Sequence, residues 1–169
     1  MTVPRIVALA ALALVAGMGT RLPDESGPGQ PLRDLRLAIR PKSLRCVLDQ
    51  PMVIEGEVKN IGRGPIVLSK CTKWDVTGIG PSSEEKTEPP AMIADCLRAK
   101  SRTDFSVLAP GASLRREWDV SRTGLITGAG TWRVDIREVY PFDGAEFGIA
   151  AWTGALRSNR VAFEVVKGQ

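Results

Sequence analysis

The sequence contains no histidine among its 169 residues. Histidine is the usual general base near neutral pH and the proton carrier of Ser-His-Asp and Cys-His catalytic arrangements. It is also a common zinc ligand. Its absence therefore excludes most nucleophilic hydrolases and every metal centre that needs an imidazole.

Other catalytic signatures are missing as well. The sequence has no G-x-S-x-G elbow, no glycine-rich phosphate loop and no calcium-loop pattern. Glu84 and Glu85 are adjacent in an acidic, proline-bearing run (82–90) that is predicted to be a mobile loop. Such a loop cannot hold two carboxylates at the fixed separation of roughly 5–10 Å that glycoside hydrolysis needs. We therefore predict no catalytic residue, no cofactor, no metal ligand and no enzymatic activity, with a hydrolase that uses only carboxylates as the enzymatic alternative.

No apolar run reaches the roughly 20 residues that a membrane span requires. The segment IVALAALALVAGM (6–18) follows Arg5 and ends among the small residues Gly17 and Gly19. These are the three parts of a secretory signal peptide, which we predict over residues 1–19 with cleavage after Gly17 or Gly19. An uncleaved N-terminal anchor is the alternative. We expect a secreted or periplasmic protein without a membrane span after cleavage.

The next segment, TRLPDESGPGQP (20–31), is polar and rich in proline and glycine, which predicts a flexible linker. Residues 32–169 are then expected to form one domain. A composition that is 43% hydrophobic and 25% charged is typical of a globular protein with one core.

Cysteine is scarce, with three residues in the chain. No C-x-x-C pair is present, and no histidine could activate a thiol. Export favours disulfides, so we predict a Cys71–Cys96 bridge, whose loop of about 25 residues corresponds to roughly 3–4 kcal/mol of stabilisation. Cys46 shares the alternation of Leu44 and Leu48 and is predicted to face the core. Pairing of Cys46 with either other cysteine, or with another molecule, is the alternative.

From residue 32 onward, apolar residues recur at every second position, a pattern typical of β-strands with one buried face. Glycine- and proline-rich turns separate these segments, which predicts an all-β fold, an antiparallel two-sheet sandwich of about seven strands. The predicted strands are LRLAIRP (35–41), MVIEGEVKN (52–60), PIVLS (65–69), FSVL (105–108), SLRREWDV (113–120), GTWRVDIREVY (130–140) and NRVAFEVV (159–166).

Two details of this pattern carry further predictions. In the sixth strand the alternation of Trp132, Val134 and Ile136 slips at Glu138–Val139, which predicts a bulge or the end of the strand. The segment PPAMIADCLRAK (89–100) is the best candidate for one or two helical turns.

The pieces VIEGEVKNIGRGPIVL, FSVLAPGASLRREWDV, GAGTWRVDIREVY and WTGALRSNRVAFEV resemble immunoglobulin-like sandwich domains of bacterial secreted proteins. Their layout is also similar to the bacterial intracellular proteinase-inhibitor family, and the resemblance spans about residues 32–167. It implies an immunoglobulin-like fold and, through the inhibitor family, an exposed loop that enters a protease cleft, near Lys73 or Lys86. The Cys…Trp…Cys set of antibody domains is absent.

Three residues are predicted to bind a partner. Trp74 lies beside Lys70 and Lys73 in the long, turn-rich stretch 70–100, and an aromatic residue flanked by cations on a loop is typical of a binding tip. Alternatively, Trp74 covers the disulfide. Trp152, just before the last strand, either packs at the end of the sandwich or offers a platform for sugar stacking. The candidates are therefore Lys73, Trp74 and Trp152.

The formal charge of +4 is mild, and the arginines alternate with apolar residues as on solvated strand faces. A basic face for an anionic partner is the alternative. No aromatic residues are interleaved with these arginines, so nucleic acid is not a predicted partner. We predict a monomeric, exported, non-enzymatic module that binds an unknown protein or cell-envelope component through end loops 70–100 and 141–157. The alternative function is a proteinase inhibitor acting through an exposed loop.

Overall fold

The computed structural model describes Gly29, residues 34–88 and residues 99–168. The predicted signal peptide (1–19), all of the predicted linker (20–31) except Gly29, Cys96 and most of the helical candidate lie outside these residues. Gly29 is buried, and a Cβ at this position would collide with the carbonyl oxygens of Leu37 and Arg157. This residue of the predicted linker therefore packs against the domain.

Strands dominate the described residues, which confirms the all-β prediction. Their number was underestimated: the seven predicted strands correspond to β1, β3, β4, β7, β8, β9 and β11, and four more are present. The strands are β1 (Leu35–Pro41), β2 (Arg45–Val47), β3 (Val53–Asn60), β4 (Ile66–Ser69), β5 (Lys73–Ile79), β6 (Glu85–Glu88), β7 (Phe105–Leu108), β8 (Ser113–Asp119), β9 (Gly130–Tyr140), β10 (Gly154–Arg157) and β11 (Val161–Val166).

Two main sheets form the sandwich. The smaller has the order β1-β3-β8, and the larger has the order β2-β11-β9-β5-β6, with β10 paired along the end of β9. β4 and β7 form a separate two-stranded ribbon. All of these pairs are antiparallel except β2 with β11, which are parallel. In chain order, β1, β3 and β8 take the A, B and E positions of an immunoglobulin-like sandwich, and β5, β9 and β11 take C, F and G.

The core lies between the two sheets, because alternate residues of each strand point at the facing sheet. Trp118 and Trp132 are both buried there, as predicted from the alternation. The other large contributors from β1, β3, β9 and β11 are Leu35, Leu37, Ile39, Ile54, Val58, Val134, Ile136, Val161, Phe163 and Val165.

One inward position of β3 has no side chain of its own. Gly56 lies opposite Arg116 in the register of β3 with β8. The indole of Trp118 lies over Gly56 so closely that a Cβ there would collide with the ring. Trp118 therefore fills the layer of the core that Gly56 leaves empty.

The described part of the stretch 70–100, residues 70–88, is not the turn-rich excursion that the sequence predicted. β5 pairs with β9 over seven residues, from Lys73 opposite Val139 to Ile79 opposite Arg133. The run 82–90, predicted as a mobile loop, contains β6. The alternation of β5 is hard to recognise because its inward position at Gly78 is covered by the side chain of Leu125 rather than by its own.

The predicted bulge in β9 is also wrong. The pairing with β5 continues in register through Glu138 and Val139. Glu138 occupies the inward position two residues after Ile136 and is fully buried. The apparent slip is therefore a charged residue in the core and not a change of register.

Cys46 lies in the short strand β2. It is half-buried and packs against the core, as does Leu48, in agreement with the predicted orientation of Cys46. Leu44, just before β2, is exposed, so the alternation on which that prediction was based does not extend to Leu44.

Candidate functional site

Three polar side chains meet between the sheets: Arg116 of β8, and Glu138 and Tyr140 of β9. Arg116 Nε donates to Glu138 Oε1 at 3.0 Å, and the Tyr140 hydroxyl donates to Glu138 Oε2 at 3.0 Å. Glu138 is fully buried and the Arg116 side chain is 21% exposed. Each oxygen of the carboxylate thus has a donor, one from the opposite sheet and one from its own strand.

The strand periods explain why these residues meet. Arg116 lies two residues before the buried Trp118, so it takes the preceding inward position of β8. Glu138 and Tyr140 are consecutive inward positions of β9. Because the inner faces of the two sheets oppose each other, the cation and the carboxylate point into the same layer.

Arg116 and Tyr140 keep their protons near neutral pH. Burial, together with the negative charge of Glu138, raises the pKa of Tyr140 well above its ordinary value. Burial acts to lower the pKa of Arg116, but the charge of Glu138 and its bonds to Glu138 and Tyr140 outweigh burial, so that this pKa is raised. The tyrosine therefore remains a hydrogen-bond donor and the guanidinium remains charged, which suits binding better than proton transfer.

Both tryptophans that the sequence suggested as binding residues lie beside Glu138 and Tyr140. Trp74 is opposite Glu138 in the β5–β9 ladder and therefore on the same inner face. Trp152 packs edge-on against Tyr140, with ring centroids 5.4 Å apart and planes at 78°. Both indoles are half-buried and pack against the core. We call Trp74, Arg116, Glu138, Tyr140 and Trp152 the Glu138 cluster.

Trp74 is not on a loop, which corrects its predicted placement at a binding tip. It lies within β5, and Lys73, its neighbour, is on the opposite face of the sheet. Lys86, the other lysine suggested for contact with a protease, lies in β6. Neither lysine is therefore part of an exposed loop.

Two buried N–H donors of the cluster have no hydrogen-bond acceptor among the residues that the structure describes. These are Arg116 Nη2 and Trp152 Nε1. Buried donors are nearly always paired, and an unpaired one costs about 1–3 kcal/mol. The cluster therefore combines half-buried aromatic rings with N–H groups that an incoming acceptor would satisfy, as binding sites do.

The predicted end loop 141–157 is a loop only as far as residue 153, because Gly154–Arg157 form β10. This shorter loop, 141–153, holds Trp152 in place. The backbone N–H of Trp152 donates to the carbonyl of Val67 at 2.8 Å. Phe147 packs against Phe105 with ring centroids 6.0 Å apart, and Arg102 Nε donates to the Phe147 carbonyl at 2.8 Å. The predicted end loop is thus fixed on both sides and offers a defined surface beside the indole.

Cys71 is buried just before β5, and its N–H donates to Ser69 Oγ at 3.1 Å. Its predicted partner, Cys96, lies outside the described residues, so the disulfide stays a prediction. Within residues 34–88 and 99–168, no three histidine, cysteine or acidic side chains are close enough together to hold a metal ion. The helical segments of this part of the chain are short, and none could cross a membrane.

Comparisons with known proteins give distant likenesses. No family model and no curated protein matches the chain. An alkylpurine DNA glycosylase, AlkC, from Pseudomonas fluorescens is 10% identical, with 78% of this chain and 30% of that chain covered and a TM-score of 0.40. The CARDB domain of PF1109 from Pyrococcus furiosus is 17% identical over 79% of this chain and 94% of that one, with a TM-score of 0.36.

A β-glucosidase from Listeria innocua is 13% identical over 78% of this chain and 16% of that chain, with a TM-score of 0.38. The chain thus spans less than a third of the glycosylase and of the glucosidase. These three TM-scores lie below 0.5, so the likenesses assign no activity. The fold assignment rests on the strand order described above.

Proposed function

We propose that this chain is an exported, non-enzymatic binding module for a protein or a cell-envelope component. Its contact surface is the Glu138 cluster together with the adjoining loop 141–153. The observation that carries the proposal is the convergence of Trp74 and Trp152 on one buried charged group. Export rests on the signal-like segment 1–19.

The chemistry of the cluster favours recognition of oxygen acceptors. Glu138 is already satisfied by Arg116 and Tyr140, so the carboxylate has little capacity left for a ligand. The unused groups are donors, Arg116 Nη2 and Trp152 Nε1. Once the side chains around these buried donors move aside, a peptide carbonyl or a sugar hydroxyl would accept from them, while the indole faces supply apolar contact.

Capture of a partner from envelope fractions tests the proposal. The immobilised exported chain would be compared with Trp152→Ala and with Leu44→Ala, a control that removes an exposed apolar side chain just before β2. We expect Leu44→Ala to retain a partner, identified by chemical cross-linking and mass spectrometry, and Trp152→Ala to retain roughly tenfold less. Equal capture by both variants, at matched thermal stability, would contradict the proposal.

Proteinase inhibition is the second function we propose, and a different observation supports it. Lys86 is exposed on β6, which ends the path of the larger sheet among the described strands. A strand at a sheet edge offers unpaired backbone groups to another extended chain. Titration of a lysine-specific serine protease with the wild type and with Lys86→Ala tests this function. We expect the wild type to inhibit the protease and Lys86→Ala to lose that inhibition. A wild type that does not inhibit at micromolar concentration would contradict the proposal.

A further inference from the structure

The outer face of the larger sheet, on the other side from the Glu138 cluster, carries four arginines. Arg133 and Arg137 are outward positions of β9, Arg157 ends β10, and Arg160 directly precedes β11. We call these four residues the arginine face. Arg133 and Arg137 are four residues apart on one strand, about 13 Å along it.

Two of these arginines are direct cross-strand neighbours. Arg157 lies opposite Arg137 in the register of β10 with β9. Like charges in directly opposite positions destabilise a ladder. Each arginine is compensated by a different carboxylate: Arg137 Nη1 lies 3.1 Å from Asp75 Oδ2, and Arg157 Nε lies 2.9 Å from Asp135 Oδ1.

Asp135 serves a second arginine as well. Arg160 Nη2 donates to Asp135 Oδ2 at 2.8 Å, and the same nitrogen lies 3.5 Å from a carboxylate oxygen of Glu85. The Asp135 side chain is only 5% exposed. One nearly buried carboxylate is thus shared by two guanidinium groups.

The carboxylates of this face do not saturate the arginines. Asp75, Asp135 and Glu85 pair with three of the four guanidinium groups, and Arg133 has no ion pair among the described residues. Each guanidinium carries five N–H donors. Because the side chains of Arg137 and Arg157 are 53% and 60% exposed, many of these donors face solvent.

We propose that the arginine face binds an anionic polysaccharide, with the guanidinium groups contacting the carboxylate groups of the polysaccharide. The planar guanidinium matches a carboxylate with two parallel hydrogen bonds, and the excess positive charge attracts a chain of such groups. The outward positions of β5, β9, β10 and β11 include no aromatic residue, so nothing on this face stacks nucleic-acid bases. This surface is separate from the Glu138 cluster and does not depend on the function proposed for it.

Binding of polygalacturonate to the exported chain tests this proposal. The variant Arg133→Gln with Arg137→Gln would be compared with Arg40→Gln with Arg115→Gln, which removes the same charge from the outer face of the smaller sheet. Arg40 is paired with Glu55 as Arg137 is with Asp75, and Arg115, like Arg133, has no ion pair among the described residues, so the control is matched. Neutral dextran and an oligothymidylate of equal charge complete the set of probes, each titrated at about 50 and about 200 mM salt.

We expect the variant of the arginine face to lose roughly tenfold or more in affinity for polygalacturonate, with a shallower salt dependence, and the control to lose roughly twofold or less. Equal losses of affinity in both variants would show that binding depends only on net charge, which would overturn the proposal. Absence of binding by the wild type at low salt, or tighter binding of oligothymidylate, would overturn it as well. Because Arg137 compensates Asp75, Arg133→Gln alone replaces the double variant if thermal unfolding shows that the double variant is destabilised.

Discussion

Glu138 is a fully buried carboxylate in a core that is otherwise largely apolar. A charge in such surroundings is tolerated only when it is paired and hydrogen-bonded. Arg116 and Tyr140 meet that condition, and the arginine comes from the opposite sheet. One polar contact therefore joins the two layers at the point where the candidate site lies.

Removal of Arg116 should show how much the unpaired charge of Glu138 lowers the stability of the folded state. We expect Arg116→Leu to lower the free energy of unfolding by about 3 kcal/mol or more, because Glu138 is left buried without a compensating charge. Arg116→Leu combined with Glu138→Leu should recover most of that loss. Urea unfolding of the two single variants and the double variant measures this coupling, and simple additivity of the two single effects would contradict it.

Gly56 offers a second test at the scale of one residue. We expect Gly56→Ala to cost about 1–3 kcal/mol, because the new methyl group would displace the Trp118 indole from a packed core. Gly64→Ala is the matched control, since a Cβ there has no neighbour within 4 Å. Thermal unfolding of both variants measures the difference, and equal midpoints would show that the ring moves aside without cost.

At the scale of the element, the sequence predicted strands wherever the inward positions carry apolar side chains. It missed β5 because Gly78 has an inward position that Leu125 covers. It missed β6 because the residues EKTE have no apolar member at all, so this strand exists through its pairing with β5. A strand that forms because of its neighbours need not show an alternating pattern in its own sequence.

The candidate site was predictable in its aromatic part only. Trp74 and Trp152 stood out as tryptophans in unusual surroundings, but their common position beside Glu138 and Tyr140 of β9 could not be inferred without the register of β5. Arg116 and Glu138 were missed because each breaks the alternation of its strand. Taken together, the two irregularities indicate the site. A cation and a carboxylate, each at an inward position of its strand, predict an ion pair across the core.

Asp119 stabilises the junction of β8 with the turn that follows it, and the pH dependence of stability should reveal this. Its carboxylate accepts from the Met52 N–H at 3.1 Å and the Ser121 N–H at 3.2 Å. Burial acts to raise the pKa of Asp119, but the bonds from Ser121 and Met52 and the charge of Arg122 outweigh it, so the pKa is lowered. The folded state therefore gains stability from the ionised form.

The lowered pKa of Asp119 in the folded state determines the direction in which stability changes with pH. The contribution of Asp119 is complete above its unfolded pKa of about 3.9 and disappears as the pH falls through the lower folded-state pKa. We expect Asp119→Asn to be less stable than wild type by about 1 kcal/mol at pH 7, because charge-assisted hydrogen bonds to backbone N–H groups become neutral ones. Urea midpoints from pH 7 to pH 2.5 should converge at the acid end, and a constant difference would contradict the assignment.

At the scale of the whole molecule, the proposed function requires that the chain leaves the cytoplasm. Mass spectrometry of the exported protein without reductant tests this requirement. We expect a chain that starts at residue 18 or 20, with Cys71 and Cys96 in one disulfide-linked peptide and Cys46 as a thiol that can be alkylated. A chain that still starts at Met1, or a different disulfide pairing, would contradict the prediction.

The two proposed surfaces use opposite sides of one sheet. The inner face of β5 and β9 carries the Glu138 cluster, and the outer face of β9 carries Arg133 and Arg137. A ligand at one surface therefore need not compete with a ligand at the other. Paired variants, one from each surface, should give independent losses of binding.

The parallel pairing of β2 with β11 joins strands at nearly opposite ends of the domain, with Cys46 opposite Val165. Contacts between residues so distant in sequence slow folding, because a long stretch of chain must be ordered before they form. The larger sheet cannot be completed until the ribosome has added residues 161–166. Under the export that we propose, a polypeptide held open for that long would reach the translocation pore unfolded, and its larger sheet would close only after transport.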